Sequence, residues 1–257
     1  MRRLPPKGAE PQDLHNFRRT YPTCRDWDFF YNNFSSSYQE IKKTIFSQQG
    51  GICAYCEAGI PENNSTQQRI EHFHPKSHND PQHNWTFDWN NMLGVCTGTE
   101  QDGGKKNMHC DSSKERYVTK DKCEGYLLNP LTMPYECLFD IKHDTGELTP
   151  NEEACSHAIV PDNAYSSVSE LVRNTIRILN LNCDTLNQKR RRVILEYEKQ
   201  RKNRRQNPNA NTDSIRTAIA RMWFEEKTPS FYTTRRILLG GYAERIIQAQ
   251  RNIGAQP

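Results

Sequence analysis

The stretch ICAYCEAGIPENNSTQQRIEHFHPKSHND, residues 52–80, decides how this chain folds. It contains Cys53 and Cys56, and a Glu-His pair begins fifteen residues after the second cysteine. A tight turn allows two cysteines at this spacing to bind one metal ion, as in zinc knuckles. A redox-active pair would instead open a helix after a strand. Because this pair follows a predicted helix that ends at Gly50-Gly51, the spacing indicates a metal site.

A tetrahedral site needs two further ligands, and Cys96 and Cys110 are the best candidates. They bracket another polar motif, although thirteen residues separate them where zinc sites usually have only a few. His109 could replace either cysteine. We therefore predict a structural zinc ion bound by four cysteines. The other five of the nine cysteines are predicted to be small core residues.

The composition of the 257 residues favours a mostly helical α+β protein, since 34% are hydrophobic, 26% are charged and the mean hydropathy is -0.94. No stretch approaches the roughly 18 apolar residues that a membrane span needs. The start of the chain, MRRLPPKGAEPQD, is basic but lacks the apolar segment of a signal peptide. The protein is therefore expected to be cytoplasmic, where clustered cysteines are more often metal ligands than disulfides.

Hydrophobic periodicity divides the chain into four predicted regions. A capping box at Ser37 and Glu40 predicts a helix that ends at the Gly-Gly pair. The sequence LFDIKHDTGELTP, after the cysteine-rich segment, predicts a β-hairpin. The predicted regions are an N-terminal arm (1–36), a zinc-containing module (37–118), a hairpin connector (119–160) and a helical region for partner or nucleic-acid binding (161–257).

The C-terminal region shows helical patterns on both sides of a basic run. A capping box at Ser167 and Glu170 predicts one helix start, and NPNAN at 207–211 predicts a helix break. The run LNQKRRRVILEYEKQRKNRR, residues 186–205, carries nine Lys or Arg against two Glu, which predicts contact with phosphates or with an acidic partner. The later apolar spacing predicts one buried stripe, formed by Ile215, Ala218, Ile219, Met222 and Trp223.

Four polar motifs follow one another between residues 53 and 114: CAYCE, IEHFHPKS, WNNMLGVC and HCDSSK. Their order resembles the HNH endonuclease family in its zinc-ribbon form. The resemblance implies a zinc-stabilised ββα-metal module within an α+β protein that is mostly α. Such a module hydrolyses phosphodiester bonds with one divalent ion.

The resemblance implies roles for individual residues. His72 matches the general base of the family, and Glu71 stands where the family has an acid that binds the catalytic metal. Asn91 matches the residue that braces the loop carrying the base, although Asn90 could take its place. The catalytic set implied by the motifs is therefore Glu71, His72 and Asn91, completed by an acid in the last motif.

That acid is Asp111, where the family places a further ligand of the catalytic ion. His109 could hold the ion instead, but carboxylate oxygens suit Mg²⁺ or Mn²⁺ better than imidazole does. Lys114 is expected to contact the substrate phosphate. Further phosphate contacts are expected from Lys76 and from three arginines of the basic run, Arg190, Arg191 and Arg192.

The same residue types meet the chemical needs of phosphodiester hydrolysis. A neutral histidine such as His72 can take the proton of an attacking water at physiological pH. A divalent ion on hard oxygen ligands, here Glu71 and Asp111, can neutralise charge on the phosphate and on the leaving oxygen. The residue chemistry and the family resemblance therefore predict the same reaction.

A narrower resemblance rests on RIEHFHPKS, DWNNMLGVC and HCD, together with ILNLNCDTLNQKRR further along. These segments are similar to HNH proteins encoded beside ATPases in Septu-type anti-phage systems and in some retron operons. The resemblance implies a nuclease effector with an ABC-like ATPase partner, joined in retrons by a reverse transcriptase and its DNA–RNA product. The chain has no Gly-x-x-x-x-Gly-Lys-Ser/Thr loop of its own, so nucleotide is expected to bind the partner.

Two other functions remain open from the sequence. The chain could be a stand-alone, restriction-type HNH enzyme, or a non-catalytic zinc module that only binds nucleic acid. The intact set of Glu71, His72, Asn91 and Asp111 argues against the second, and the helical C-terminal half favours a partner over the first. The substrate is left open between DNA and an RNA such as tRNA, and the context between Septu and retron.

Overall fold

The computed structural model describes residues 1–61, 65–98, 104–118, 123–206 and 211–254. Ten helices occur in these ranges: α1 (Gln12–Thr20), α2 (Trp27–Asn33), α3 (Ser35–Gln48), α4 (Asp111–Lys114), α5 (Glu152–His157), α6 (Val168–Ile178), α7 (Asp184–Arg204), α8 (Thr212–Phe224), α9 (Tyr232–Leu239) and α10 (Gly241–Gly254). None of these helices is long and apolar enough to span a membrane. Two antiparallel pairs of strands accompany them: β1 (Gln68–His72) with β2 (Met92–Cys96), and β3 (Phe139–Ile141) with β4 (Leu148–Pro150). The prediction of a mostly helical α+β fold is confirmed.

Strands β1 and β2 form the sheet that carries the Glu-His pair, with the last residue of β1 opposite the first of β2. Helix α3 packs closely on this sheet at Gly94. A Cβ atom there would come within 3.0 Å of the side chains of Ile45, Phe46 and Gln49. The buried side-chain amide of Gln49 also hydrogen-bonds to the backbone of Gly94. It donates to the Gly94 carbonyl and accepts from the Gly94 N–H, each at 2.8 Å. The sheet is therefore fixed to α3 at one face.

The N-terminal region differs from the predicted arm, because helices α1 and α2 form there. Both pack on α3 and bury a cluster of aromatic rings that includes Phe17, Trp27 and Phe30. Asp26 caps α2 by accepting a hydrogen bond from the Phe29 N–H at 2.9 Å. Helices this short gain little stability from propensity alone, so tertiary packing of the rings stabilises them. A search for helical periodicity in a short segment does not detect such packing.

Local signals located some element boundaries and missed others. Helix α3 begins at Ser35 without a side-chain cap, two residues before the predicted capping box at Ser37. Helix α6 begins as predicted, since Ser167 Oγ accepts from the Glu170 N–H at 3.2 Å. The predicted hairpin is confirmed as β3 and β4. The predicted break at 207–211 lies largely outside the described residues, between α7 and α8.

The buried stripe of α8 is broader than predicted and is rotated around the helix. Met222 is 51% exposed and Ala218 is also exposed, whereas Ala220 and Phe224 are buried. The reason is that α8 has neighbours on several sides, namely α7, α9 and α10. The three predicted positions that are buried are Ile215, Ile219 and Trp223.

One buried cluster joins the cysteine-rich region to the C-terminal helices, and it includes Leu93, Leu171 and Ile219. A polar contact reinforces this junction beside the second cysteine. The buried Glu57 carboxylate accepts hydrogen bonds from the Thr233 N–H at 2.8 Å and from the Thr233 hydroxyl at 2.7 Å. Apolar surface of the C-terminal helices therefore covers the cysteine-rich region. The domain boundaries proposed from the sequence remain predictions.

Candidate active site and metal site

Four cysteines meet at one buried point: Cys53, Cys56, Cys96 and Cys110. Their sulfur atoms lie within 4.8 Å of one another, and two of the sulfur pairs are 3.7 Å apart. The turn after α3 contributes two of them, the end of β2 contributes one, and the residue before α4 contributes the last. A separation of 3.7 Å excludes disulfide bonds, whose sulfur atoms are about 2.05 Å apart.

The spacing of the sulfur atoms fits a zinc ion. A tetrahedral ion with Zn–S bonds of about 2.3 Å holds its sulfur ligands about 3.8 Å apart. The 3.7 Å separations agree with this value. The four cysteines could therefore hold the structural zinc ion that the sequence predicted, and the ion would tie the cysteine turn, strand β2 and helix α4 together.

His109 lies beside the cysteine cluster. Its Nε2 atom is 3.5 Å from Cys96 Sγ, and its Nδ1 atom is 2.7 Å from the Asn107 carbonyl oxygen. A carbonyl only accepts hydrogen bonds, so Nδ1 carries a proton. A cavity beside Glu71 and His72 is lined by Asp111 and not by His109. Asp111 and His109 were the two candidates for a ligand of the catalytic ion. Of these, Asp111 lies at the cavity and His109 does not.

A cavity of about 750 Å³ lies between helices α2 and α3 on one side and strand β1 and helix α4 on the other. Glu71, His72 and Asp111 line it, and they are only 7%, 7% and 4% exposed. The carboxyl groups of Glu71 and Asp111 lie within hydrogen-bonding reach of each other. Three of the four predicted catalytic side chains therefore meet in one cavity.

Two cations balance the two carboxyl groups. Arg69 Nη1 lies 2.7 Å from Asp111 Oδ2, and the Lys114 ammonium forms an ion pair with Glu71. Burial raises the pKa of Glu71 to about 8, although Lys114 opposes the shift. Burial also acts to raise the pKa of Asp111, but hydrogen bonds from Glu71 and Arg69 outweigh it and lower that pKa. The environment thus favours a proton on Glu71 over one on Asp111, and a divalent ion on these oxygens would compete with that proton.

Lys114 braces the end of strand β1. Besides its ion pair with Glu71, its Nζ donates to the backbone carbonyls of His72 and Phe73, at 2.8 Å each. An ammonium group has three N–H donors, so all of them have acceptors within the chain. The residue is only 5% exposed. Its geometry therefore differs from the expected contact with substrate phosphate and favours a bracing role.

His72 is held as a neutral ring. Its Nε2 atom lies 2.9 Å from the Thr86 carbonyl oxygen, so Nε2 carries the proton and the basic lone pair is on Nδ1. Burial lowers the pKa of His72 to about 3, and the charge on Lys76 acts in the same direction. The Trp27 ring packs edge-on against the imidazole, with the ring centroids 4.6 Å apart. The ring is thus fixed and unprotonated at neutral pH.

Asn91 clamps the loop that follows the Glu-His pair. Its Oδ1 accepts from the His74 N–H at 2.7 Å, and its Nδ2 donates to the carbonyls of His74 and Trp85 at 2.9 and 2.8 Å. The Asn91 side chain is buried, whereas Asn90 is exposed. The geometry therefore favours Asn91 over Asn90 for the bracing role that the sequence implied.

The residues expected to contact phosphate differ in their exposure. Lys76 is exposed and lines the cavity, and Arg191 and Arg192 are exposed on α7. Arg190 is only 2% exposed, and its Nε donates to the Gly146 carbonyl oxygen at 2.6 Å. Arg190 was expected to contact nucleic acid. This expectation is wrong, because the guanidinium donates its hydrogen bonds to acceptors inside the fold.

The residues that line the cavity without having been predicted as part of the site include Trp27, Tyr31, Tyr38 and Arg69. Arg69 carried a signal, because side chains two residues apart in a strand share a face and Glu71 is two residues on. Trp27 and Tyr31 carried none, because the helix on which they lie was not predicted, and Tyr38 lies on α3, where the sequence indicated a helix but not a neighbouring cavity.

No family model matches the chain. A curated relative from Escherichia coli, named "Retron Ec83 putative HNH endonuclease", is 32% identical to the chain over 258 residues. The alignment covers 96% of both proteins, so the likeness includes the N-terminal helices and the C-terminal helical region as well as the cysteine-rich segment. The chain therefore belongs to the family of retron-associated HNH endonucleases.

Proposed function

We propose that this chain is the nuclease effector of a retron-type anti-phage defence system, and that its active site is the cavity lined by Glu71, His72 and Asp111. The observation that carries this proposal is the meeting of a fixed neutral imidazole with two adjacent carboxyl groups. Family membership supports the reaction, a hydrolysis of phosphodiester bonds.

His72 is the proposed general base. Its Nε2–H is held by the Thr86 carbonyl oxygen, so Nδ1 is the atom that takes the proton of the attacking water. The low pKa keeps this atom unprotonated before the substrate arrives. The negative charge of a phosphodiester entering the cavity opposes that shift and makes the imidazole more basic when it is needed.

Glu71 and Asp111 are the proposed ligands of the catalytic ion. Their oxygen atoms suit Mg²⁺ or Mn²⁺, which would supply neutralisation of charge on the phosphate and the leaving oxygen. The four cysteines would hold the structural zinc ion that makes β1, β2 and α4 a ββα-metal module. In this arrangement Lys114 and Asn91 position His72 by holding the backbone from its own carbonyl to His74.

The biological setting is proposed from the same family. The relative is named as a retron protein, which supports a partnership with a reverse transcriptase and its DNA–RNA product. An ATPase encoded in the same operon is the proposed regulatory partner, as the sequence resemblance implied. The substrate is nucleic acid, either DNA or an RNA such as tRNA.

The test is to express the chain with its operon neighbours and to compare wild type with His72→Ala. Purified assemblies are incubated with labelled DNA and with tRNA in the presence of Mg²⁺ or Mn²⁺. We expect cleavage of at least one substrate by wild type and loss of that cleavage in the variant, while the co-purifying proteins stay the same. Equal cleavage by the two assemblies, or none by either, would count against the proposed function.

A further inference from the structure

A row of aromatic rings leads from His72 to the mouth of the cavity. Trp27 packs against the imidazole, with ring centroids 4.6 Å apart, and Tyr38 follows at 6.1 Å from Trp27. Tyr31 comes last, packed edge-on against Tyr38 at 4.8 Å. All three aromatic residues line the cavity. The row therefore forms one continuous wall beside the proposed reaction centre.

Tyr31 differs from the other rings of this wall in its exposure. Trp27 and Tyr38 are 9% and 8% exposed, whereas Tyr31 is 49% exposed. Its edge-on contact with Tyr38 supports the ring from one side and leaves much of its surface to solvent. An exposed aromatic ring at the mouth of a polar cavity offers a π surface to a ligand that has one of its own.

The cavity also carries cationic groups suited to phosphate. Lys76 is exposed there, and the Arg69 side chain is 40% exposed although it is paired with Asp111. Cationic groups together with aromatic rings in one groove are the combination by which proteins hold a single nucleic-acid strand, with contacts to its phosphates and stacking on its bases.

We propose that Tyr31 stacks on an unpaired base next to the scissile phosphate, so that the enzyme cuts nucleic acid that is single-stranded at the cleavage site. This inference rests on the proposed function of the cavity. A base can present its face to Tyr31 only when it is unpaired and free of its neighbours, because within a duplex both faces of each base are covered by stacking.

The size of the cavity favours the same substrate. About 750 Å³ is the volume of a pocket that encloses one small ligand, and His72 at its floor is only 7% exposed. A flexible single strand can place one phosphodiester in such a site. The phosphates of an intact duplex, by contrast, are fixed on the surface of a wide double helix. Burial of the catalytic groups and the aromatic wall are two separate features that point to an unpaired strand.

The experiment uses the full chain, with its partners when these co-purify, in an inactive His72→Ala background. The probes are an oligonucleotide with one 2-aminopurine, in DNA and RNA versions, and the same strands annealed to their complements. Tyr31→Ala and Tyr31→Trp are compared with Tyr126→Ala, a control at an exposed tyrosine outside the cavity. We measure the Kd and the 2-aminopurine fluorescence, which stacking quenches.

We expect tight binding and quenching with a single strand of at least one sugar type, and weak binding of the duplexes. Tyr31→Ala should raise the Kd for the single strand about 5- to 150-fold, the effect of losing one stacked base, and should abolish the quenching. Tyr31→Trp and Tyr126→Ala should leave both readouts unchanged. In the active background, the single strand should be cut at least about tenfold faster than its duplex.

Equal binding of single strand and duplex, no binding of any single strand, or a Tyr31→Ala variant that behaves like Tyr126→Ala would overturn the inference. Failure of the proposed function is a different result. It would appear as equal cleavage by wild type and His72→Ala, whereas failure of this inference leaves that difference intact and removes only the preference for an unpaired strand.

Discussion

Arg69 on strand β1 and Asp111 at the start of helix α4 form an ion pair in which Arg69 Nη1 lies 2.7 Å from Asp111 Oδ2. The arginine side chain is 40% exposed, whereas the aspartate side chain is only 6% exposed. The pair therefore has a solvent side and a buried side. On the buried side, the guanidinium helps to keep the Asp111 carboxyl ionised next to Glu71.

The first prediction concerns Asp111 as a ligand of the catalytic ion. Asp111→Asn removes the negative charge but keeps the size of the side chain, so Mg²⁺ or Mn²⁺ should bind more weakly. We expect the metal concentration for half-maximal cleavage to rise at least about tenfold. Glu115→Gln, an exposed acid that lines the same cavity one turn later, is the matched control. An equal effect of the two variants would remove Asp111 from the proposed ligand set.

The second prediction concerns His72 as the general base. His72→Ala should reduce the cleavage rate by roughly 10²–10⁴-fold, because proton transfer from the attacking water then has no positioned acceptor. The zinc content should stay that of wild type, and the melting temperature should fall only as far as the loss of the hydrogen bond to the Thr86 carbonyl and of the Trp27 contact requires. His143→Ala, at an exposed position on the β3–β4 hairpin, should cut at the wild-type rate. Undiminished cleavage by the first variant would show that another group is the base.

The third prediction follows from the pKa of His72, which burial lowers to about 3 in the folded state. Its ordinary value of about 6.5 applies in the unfolded state, so between these values the unfolded chain binds more protons. The neutral ring therefore contributes stability above pH 6.5 that is lost as the pH falls. From pH 6.5 to 5.5, wild type should lose about 1 kcal/mol more unfolding free energy than His72→Asn.

Urea unfolding at the two pH values, with zinc in excess, measures this difference. The control is His143→Asn, which removes an exposed histidine and should lose as much stability as wild type does. If the His72→Asn variant also follows the wild-type slope, His72 titrates normally in the folded state and is less desolvated than its burial implies.

The fourth prediction concerns the cysteine cluster. Purified wild type should contain one zinc ion per chain by elemental analysis, and Cys53→Ser should lose it. Zinc binding contributes about 10–16 kcal/mol in small zinc-folded peptides, so the variant should unfold or melt far below wild type. Cys24→Ser, at a half-buried cysteine outside the cluster, should keep both zinc and stability. A Cys53→Ser protein with full zinc would contradict the ligand set.

The parts of the fold that the sequence predicted are those where chemistry limits the residue type. Only certain side chains bind zinc, and the turn between Cys53 and Cys56 restricts their spacing, so the cluster could be recognised before any fold was known. A hydroxyl cap has a similarly local geometry, and Ser167 was recognised for that reason. Such signals depend on a few neighbouring residues.

The parts that were missed depend on packing between distant segments. Lys114 was expected to contact the substrate, but whether a lysine faces solvent or the carbonyls of β1 depends on where α4 meets the sheet. Arg190 could have been recognised. Leu186, Val193 and Tyr197 recur at helical spacing and are buried, which puts position 190 on their face. The density of positive charge around it obscured this pattern.

The last prediction concerns the exposed side of helix α7. Arg191→Glu with Arg192→Glu reverses two exposed charges and leaves the buried face intact, so the variant should fold normally. We expect weaker binding of nucleic acid, and a plot of log Kd against log salt whose slope falls by about 1.4 to 1.8 if both arginines contact phosphates. The matched control, Arg18→Glu with Arg19→Glu on α1, reverses two adjacent exposed arginines elsewhere.

The same variant separates the two readings of the basic helix. If binding of nucleic acid is unchanged but the ATPase no longer co-purifies, the exposed arginines dock an acidic face of the partner. If neither changes, α7 is only a solvated surface and the prediction is wrong. Arg190→Met serves as a third comparison, because it leaves the Gly146 carbonyl without its donor and should cost about 1–3 kcal/mol in stability instead of affecting binding directly.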